Sequence, residues 1–332
     1  MSEDLILGID GGGSKVLVAL ADRAGKVLRM SRSGGVNPMD NPNWRHELDL
    51  SLRPFLEEQR LTAVAAALPA YGEVARLSEQ QREAIASAFP KARQRVFNDV
   101  DAAHLGAFAG RPGILILSGT GSMAWGRNSA GVSSRVGGWG DVIGDEGSSY
   151  WIGKAALGLV SQSFDGRAAP TMLAKAMFEH LQLDGSDPVN ALGGWVSELA
   201  NPRADIAALS VLVDRMAQAG DEGATRLIGE AAAELAKHID AITPHCDPEA
   251  DWTYAGGTFA SRILLATLER RIGRPAVTPE LPPVGGALLA AAQLLDWPVD
   301  AGWIRQIAAT AQATAVDTGE ADLNNKERRE HA

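Results

Sequence analysis

The chain carries one cysteine, Cys246, in 332 residues. No disulfide can close within it, and the four thiolates of an iron–sulfur cluster cannot be assembled from one copy or from two. The six histidines, His46, His104, His180, His238, His245 and His331, form no HExxH pair and no Cys/His cluster, which argues against a zinc site. A Gly-x-Ser-x-Gly elbow of the hydrolase kind is also missing. Positive charge is short: 31 Lys and Arg stand against 41 Asp and Glu, a formal net charge of −10. That balance disfavours an extended phosphate-backbone footprint, so no nucleic-acid partner is expected. No apolar run approaches the roughly 20 residues of a membrane span, and Met1 to Asp4 lead into the first strand without a basic or apolar leader. The expectation is a cytoplasmic protein with no membrane partner and no preceding DNA-binding segment. The polar stretch from Asp317, with Lys326-Glu327-Arg328-Arg329-Glu330, is expected to be a frayed tail.

Glycine, by contrast, is plentiful, at 36 residues, and it is placed with a pattern. Asp10-Gly11-Gly12-Gly13-Ser14 follows the apolar run Leu5 to Ile9. About a hundred residues later Ser118-Gly119-Thr120-Gly121-Ser122 follows Ile114 to Leu117. Residues without Cβ let backbone N–H groups converge on an anion, and the hydroxyls add adjustable donors. The first loop has the G-x-x-x-x-G spacing of a P-loop, but Ser14-Lys15 reverses the required order. Val16 to Ala21 then reads as a strand ending in the turn Asp22-Arg23-Ala24-Gly25. A Rossmann site fails too, since Val16 stands where its last glycine should be. Strand, glycine turn, strand is the reading for both loops, and the second is followed by Met123 to Gly126 as its strand.

A phosphate-binding hairpin at the head of each of two similar halves implies an α/β chain. Its organisation is that of two actin-like (ribonuclease H-like) domains with a nucleotide cleft between them. The first domain is read as residues 1–109, with strands at 5–9, 16–21, 27–30, 63–68 and 96–97 and helices near 45–58 and 78–88. Arg111-Pro112-Gly113 marks the boundary. The second domain, 110–316, carries a long helical stretch over about 150–241, a strand at 252–255 and a helix after Gly257. A last helix, about 302–316, can pack back on the first domain, and 317–332 is the polar tail.

Two carboxylates, Asp99 and Asp101, follow the strand ending at Asn98. Strand ends face the cleft in open α/β sheets, where a carboxylate can take the proton of an attacking hydroxyl. Asp99, read as the strand's last residue, is the favoured base, and Asp101 the helix-capping alternative. Asp10 can approach phosphate-bound Mg²⁺ directly or through water, and Lys15 can touch phosphate. Gly137-Gly138-Trp139-Gly140 and Gly144-Asp145-Glu146-Gly147 place an aromatic face beside acceptors, which suits a sugar. Gly256-Gly257 and Val284-Gly285-Gly286 have the small residues that let a flat base lie against backbone.

Taken in order, Asp10 to Lys15, Asn98-Asp99, Ser118 to Ser122, Gly138-Trp139-Gly140, Gly144 to Ile152, Ala255 to Phe259 and Pro283 to Ala287 resemble the N-acetylglucosamine kinase and BadF/BadG/BcrA/BcrD ATPase family. The resemblance covers Leu5 to about Leu295. It implies ATP phosphates at Gly11, Gly12, Gly13, Ser14 and Lys15 and at Gly119, Thr120, Gly121 and Ser122. Adenosine is implied at Ala217, Gly256, Gly257 and Ser261. An amino sugar is implied at Asn37, Asp99, Gly138, Trp139 and Asp145, with Glu146 beside them. The implied activity is ATP- and Mg²⁺-dependent phosphorylation of the primary hydroxyl of glucosamine or N-acetylglucosamine by a homodimer that closes on its sugar. Met123 stands where the eukaryotic enzymes have Asn, and Leu68-Pro69-Ala70-Tyr71-Gly72 replaces a Ser/Gly-rich segment. The sugar therefore stays open, N-acetylmuramate included. An activator of a radical enzyme and a sugar-sensing regulator are the other classes.

Overall fold

The computed structural model describes residues 4–13 and 15–311. The contacts divide the chain into two units, one formed by Met1–Arg111 with Thr278–Ala332 and one by Pro112–Val277. The expected tail from Asp317 and the hydroxyl of Ser14 lie outside the described residues.

The first unit opens with β1 (Leu5–Gly11), β2 (Lys15–Asp22), β3 (Val27–Gly34) and α1 (Trp44–Leu52). β4 (Leu61–Leu68), α2 (Ala75–Ala88), β5 (Arg93–Asn98) and α3 (Asp99–Ala107) follow. The second unit contains β6 (Gly113–Ser118), β7 (Ser122–Arg127) and β8 (Ser133–Gly137). Five helices come next: α4 (Ser149–Phe164), α5 (Met172–Leu181), α6 (Pro188–Ser197), α7 (Pro202–Gln218) and α8 (Glu222–Ile242). β9 (Trp252–Ala255) and α9 (Arg262–Ile272) complete it. The chain then returns to the first unit with α10 (Pro283–Gln293) and a helical segment over 301–311.

Both sheets follow one plan. In the first, order β3-β2-β1-β4-β5, the hairpin β1-β2 is antiparallel and β4 joins β1 in parallel. In the second, order β8-β7-β6-β9, β6-β7 is the antiparallel hairpin and β9 the parallel neighbour. The glycine turns sit at matching places, after Gly11 and after Ser118. This is the actin-like α/β architecture, with the duplication visible in the loops carried through the strand order.

Side-chain alternation along the first sheet explains its three layers. Leu5, Leu7 and Ile9 pack with Leu48, Leu52 and Ile85 from α1 and α2. Ile6, Ala63, Ala65 and Ala67 pack with Ala102, Leu105, Val284 and Leu288 from α3 and α10. Small residues on that second face let α10 approach closely. A Cβ on Gly8 would lie 2.7 Å from the Leu288 backbone nitrogen, and one on Gly286 would lie 2.0 Å from the Ala102 carbonyl oxygen. Val284-Gly285-Gly286 is therefore a helix-packing segment, not a bed for a base. Residues from Thr278 onward belong to the first unit rather than the second, because α10 buries its apolar residues against β1 and β4.

Two helix boundaries also differ from the sequence reading. The helix expected over 45–58 ends as α at Leu52 and continues only as a 3-10 turn, Arg53–Phe55, since Pro54 has no N–H to extend the ladder. The single tract expected over 150–241 is five helices. Thr171, Asp187, Asn201 and Asp221 each restart one by accepting from a backbone N–H of the first turn.

Two alanine substitutions at glycine should move stability in opposite directions. Gly286→Ala places a methyl against main chain that cannot yield and should cost at least about 2 kcal/mol. Gly229→Ala, inside α8 with nothing within 4 Å of the new Cβ, should gain about 0.5–1 kcal/mol. Denaturant midpoints at unchanged slope would check both.

Candidate active site

In the first unit, β1 delivers Asp10 to the sheet's carboxyl end, level with Ala67 of β4. Asp99 lies two strands away in the same sheet order. β5 stops at Asn98, which caps α3 by accepting from the Val100 N–H at 3.0 Å, so Asp99 opens the helix instead of ending the strand. The one-residue difference arises because Asn98 holds the cap. Asp101, in the same turn, lies 3.4 Å from an Arg95 guanidinium nitrogen and so has a structural partner.

The two candidate acids are held in an unusual state. Burial pushes the Asp10 carboxyl up to about 7, Asp99 adds to the elevation, and Lys15 works against it. Burial pushes Asp99 up to about 6; the Val100 N–H opposes this and the charge of Glu73 assists it. The influence of Glu73 on Asp99 was not legible in sequence, although the segment Leu68 to Gly72 just before it was. That loop follows β4, has Ala70 at φ +60° and Gly72 at φ +85°, and is pinned at three points. Gln81 donates to the Pro69 carbonyl at 2.9 Å, Asn98 to the Tyr71 carbonyl at 3.1 Å, and the Gly72 N–H to Ser78 Oγ at 2.9 Å.

The first glycine turn is closed by Gly12 N–H donating to the Lys15 carbonyl at 2.8 Å. Gly13 is exposed with open space where a Cβ would be, and Lys15 is exposed at the start of β2. Buried Gly11 lies against Val36, Leu68 and Pro69. Asn37 shapes its own turn, donating one amide N–H to Asp40 and accepting from the Met39 N–H at 3.1 Å.

In the second unit three separate motifs converge. Ser118 Oγ donates to the Gly147 carbonyl at 3.0 Å, and Ser122 Oγ to the Glu146 carbonyl at 2.7 Å. The Gly138 N–H donates to the Ser122 carbonyl at 3.0 Å, and the Ser149 N–H to the Gly119 carbonyl at 2.8 Å. Ser149 and Thr258 share a hydroxyl hydrogen bond of 2.7 Å. Gly256, at φ +107°, comes so close that a Cβ would sit 2.1 Å from the Ser118 carbonyl oxygen. The second glycine loop, the acid block and the Gly-Gly-Thr turn thus form one hydrogen-bonded assembly.

That assembly corrects three side-chain roles. The hydroxyl of buried Ser122 is spent on the acid block, which leaves exposed Thr120 as the loop's presented hydroxyl. Ser261 caps α9 and donates to Asp214, so its hydroxyl is engaged. Ala217 is packed in the core of the second unit. From the adenosine set, Gly256 and Gly257 are the exposed members. Trp139 is 66% exposed, with the Arg135 guanidinium 5.8 Å from its ring centroid, so it is not a core residue. Half-buried Glu146 lines a shallow cavity of about 420 Å³ with Asp141, Ile143, Tyr150 and Lys154. Asp145 is only 3% exposed and adopts φ +60°. Its Oδ1 accepts from the Ser122 N–H at 3.2 Å, and its Oδ2 from Arg203 Nη2 at 2.7 Å. Arg203 was invisible in the sequence because its partner lies 58 residues away.

Each unit leaves glycines open beside its turn: nothing lies within 4 Å of a Cβ at Gly13 in the first, or at Gly119 and Gly257 in the second. Asp10 presents carboxylate oxygens directly before the first glycine turn, and oxygen donors suit a hard cation such as Mg²⁺. Among the described residues no group of three or more His, Cys, Asp or Glu could hold a metal.

Residues 7–291 match the model of the BadF/BadG/BcrA/BcrD ATPase family. The chain belongs to this family. Among its relatives is an N-acetylmuramic acid/N-acetylglucosamine kinase of Clostridium acetobutylicum, 32% identical over 71% of this chain and 78% of that one. The glucosamine kinase GspK of Vibrio cholerae is 26% identical over 71% and 79%. A solved structure from Chromobacterium violaceum, described as a candidate N-acetylglucosamine kinase, is 25% identical. It superposes with a TM-score of 0.68 over 87% of this chain and 99% of its own.

The elevated Asp99 has a consequence for stability. A carboxyl whose folded value lies above its unfolded value of 3.8 releases its proton less readily in the folded state, so stability falls as pH rises from about 4 through about 6. Asp99→Asn removes that cost. The variant should melt higher than the parent at pH 7.5, by an amount worth on the order of 1–3 kcal/mol, and the gain should vanish below pH 4. Paired melts across this range would check it; a gain independent of pH would contradict the assignment.

Proposed function

We propose that this chain is an ATP-dependent amino-sugar kinase that phosphorylates a primary hydroxyl, forming the 6-phosphate of N-acetylglucosamine or glucosamine. The observation that carries the reading is Asp99, a carboxyl raised to about 6 by desolvation at the start of α3, directly after β5 of the sheet that carries Asp10. It stands in a chain of an ATPase family whose named relatives act on amino sugars. N-acetylmuramate is the second reading, favoured by the Clostridium relative.

ATP with its Mg²⁺ supplies the transferable phosphoryl group and neutralises its charge. Asp99 accepts the proton of the sugar's primary hydroxyl as that oxygen bonds to the γ-phosphorus, and the bond from phosphorus to the β-γ bridging oxygen breaks. An elevated carboxylate is a better base than an ordinary one, which supports this role. Asp10 anchors the cation. Backbone N–H groups of Gly11 to Gly13 and of Gly119 to Gly121, with Lys15 and Thr120, hold phosphates. Gly256 and Gly257 take adenosine. Trp139 offers its exposed ring to the sugar's C–H face. Asp145, with two of roughly four acceptor sites already used, offers the rest to sugar hydroxyls alongside Asn37 and Gly138. By the family resemblance the enzyme works as a cytoplasmic homodimer.

ADP release and product mass measured with Mg-ATP over N-acetylglucosamine, glucosamine, N-acetylmuramate and glucose test the reading. Turnover should be highest with an amino sugar; release indifferent to any sugar would refute it. Asp99→Asn should lower kcat by roughly 10² to 10⁴ while ATP still binds, whereas Asp101→Asn should stay active. Because the base must be ionised, kcat/KM for the parent should rise with pH and level off above about 6.

A further inference from the structure

We propose that Arg203 is a positioning residue that locks Asp145 and the second glycine loop into one rigid unit and thereby sets the affinity for the sugar. The proposal deepens the kinase reading and rests on it for the identity of the ligand.

Arg203 is the second residue of α7, directly after Pro202. An arginine in the first turn of a 17-residue helix opposes the helix dipole, where an acid would be favourable. That unfavourable placement finds compensation at a distance. The guanidinium donates to Asp145 Oδ2 at 2.7 Å, and its Nε lies 3.7 Å from Asp141 Oδ1. One planar fork thus holds Asp145 of the acid block and faces Asp141 before it, which the point charge of a lysine cannot do with the same geometry.

The same group braces the loop. A Cβ on Gly121 would lie 2.8 Å from Asp145 Oδ1 and 3.0 Å from Arg203 Nη2, so the ion pair is packed directly on the turn. Asp145 Oδ1 also accepts from the Ser122 N–H. Without Arg203, a carboxylate that is 3% exposed would keep one backbone donor for its charge, and such a group takes up a proton or swings out. The left-handed backbone of Asp145, at φ +60°, is a conformation that non-glycine residues keep only when their surroundings impose it. Arg203 and Ser122 supply that constraint from opposite sides of the carboxylate.

The test combines kinetics with melting. Arg203→Ala should raise KM for the amino sugar by roughly tenfold to a hundredfold, with kcat and the KM for ATP changed far less. Arg203→Lys, which keeps the charge and protects the fold, should fall between. Added guanidinium ion, far below unfolding concentrations, should restore part of the sugar affinity of Arg203→Ala. In melts, Asp145→Asn and Arg203→Gln should each lower Tm, and the double variant should fall no further than the worse single. Equal changes in both KM values, no rescue by guanidinium, or additive Tm losses would overturn the proposal. Failure of the kinase reading would appear elsewhere, as absent amino-sugar turnover in the unmodified enzyme, and the melting cycle would still decide whether the pair acts as one.

Discussion

A carboxylate removed from water demands an answering charge or a proton, and the way this chain meets that demand differs between its two units. In the second, Asp145 is answered by Arg203 and a backbone N–H, so its charge is fixed in place. In the first, the desolvation of half-buried Asp10 and Asp99 outweighs what Lys15 and nearby backbone N–H groups offer, and both are driven upward. The first arrangement makes a rigid acceptor. The second leaves two acids raised toward neutrality, and the division follows from which neighbours each sheet end supplies.

The shared strand plan shows how the pieces are carried. A hairpin whose turn is glycine, extended by a parallel strand, places a loop at the same point of each sheet. What differs is the use of the loop's surroundings. Beside the first turn Val36 and Leu68 pack on Gly11, while Gly13 and Lys15 stay exposed. Around the second, Ser118 and Ser122 bind the acid block to the turn and leave Thr120 outward.

Much of this was legible in the chain itself, because the signals were local. Apolar runs closing on Asp10 and Ser118 gave the strands, the loops and the α/β class, and the Gly-Trp-Gly to Gly-Asp-Glu-Gly block pointed to a specific family. The errors came where a distant partner decided the outcome. Asp99 looked like the end of a strand and proved to open α3, because Asn98 holds the cap. Ser122 and Ser261 looked like donors to a ligand and were spent on a carbonyl and on Asp214. Gly285-Gly286 looked like a surface for a base and proved to be the place where α10 meets α3. Arg203 gave no signal, since nothing within its own helix hints at an acid 58 residues earlier.

The return of α10 to the first sheet bears on biosynthesis. Ile6, Ala63, Ala65 and Ala67 offer an apolar face from the moment the N-terminal strands leave the ribosome, yet Val284 and Leu288, which cover it, are translated after the entire second unit. The continuous second unit can therefore condense while the first still waits with one face bare. During that interval the nascent chain exposes the kind of surface that chaperones engage, and a ribosome stalled before α10 leaves a product that holds both glycine loops and lacks the helix that buries the sheet beneath one of them.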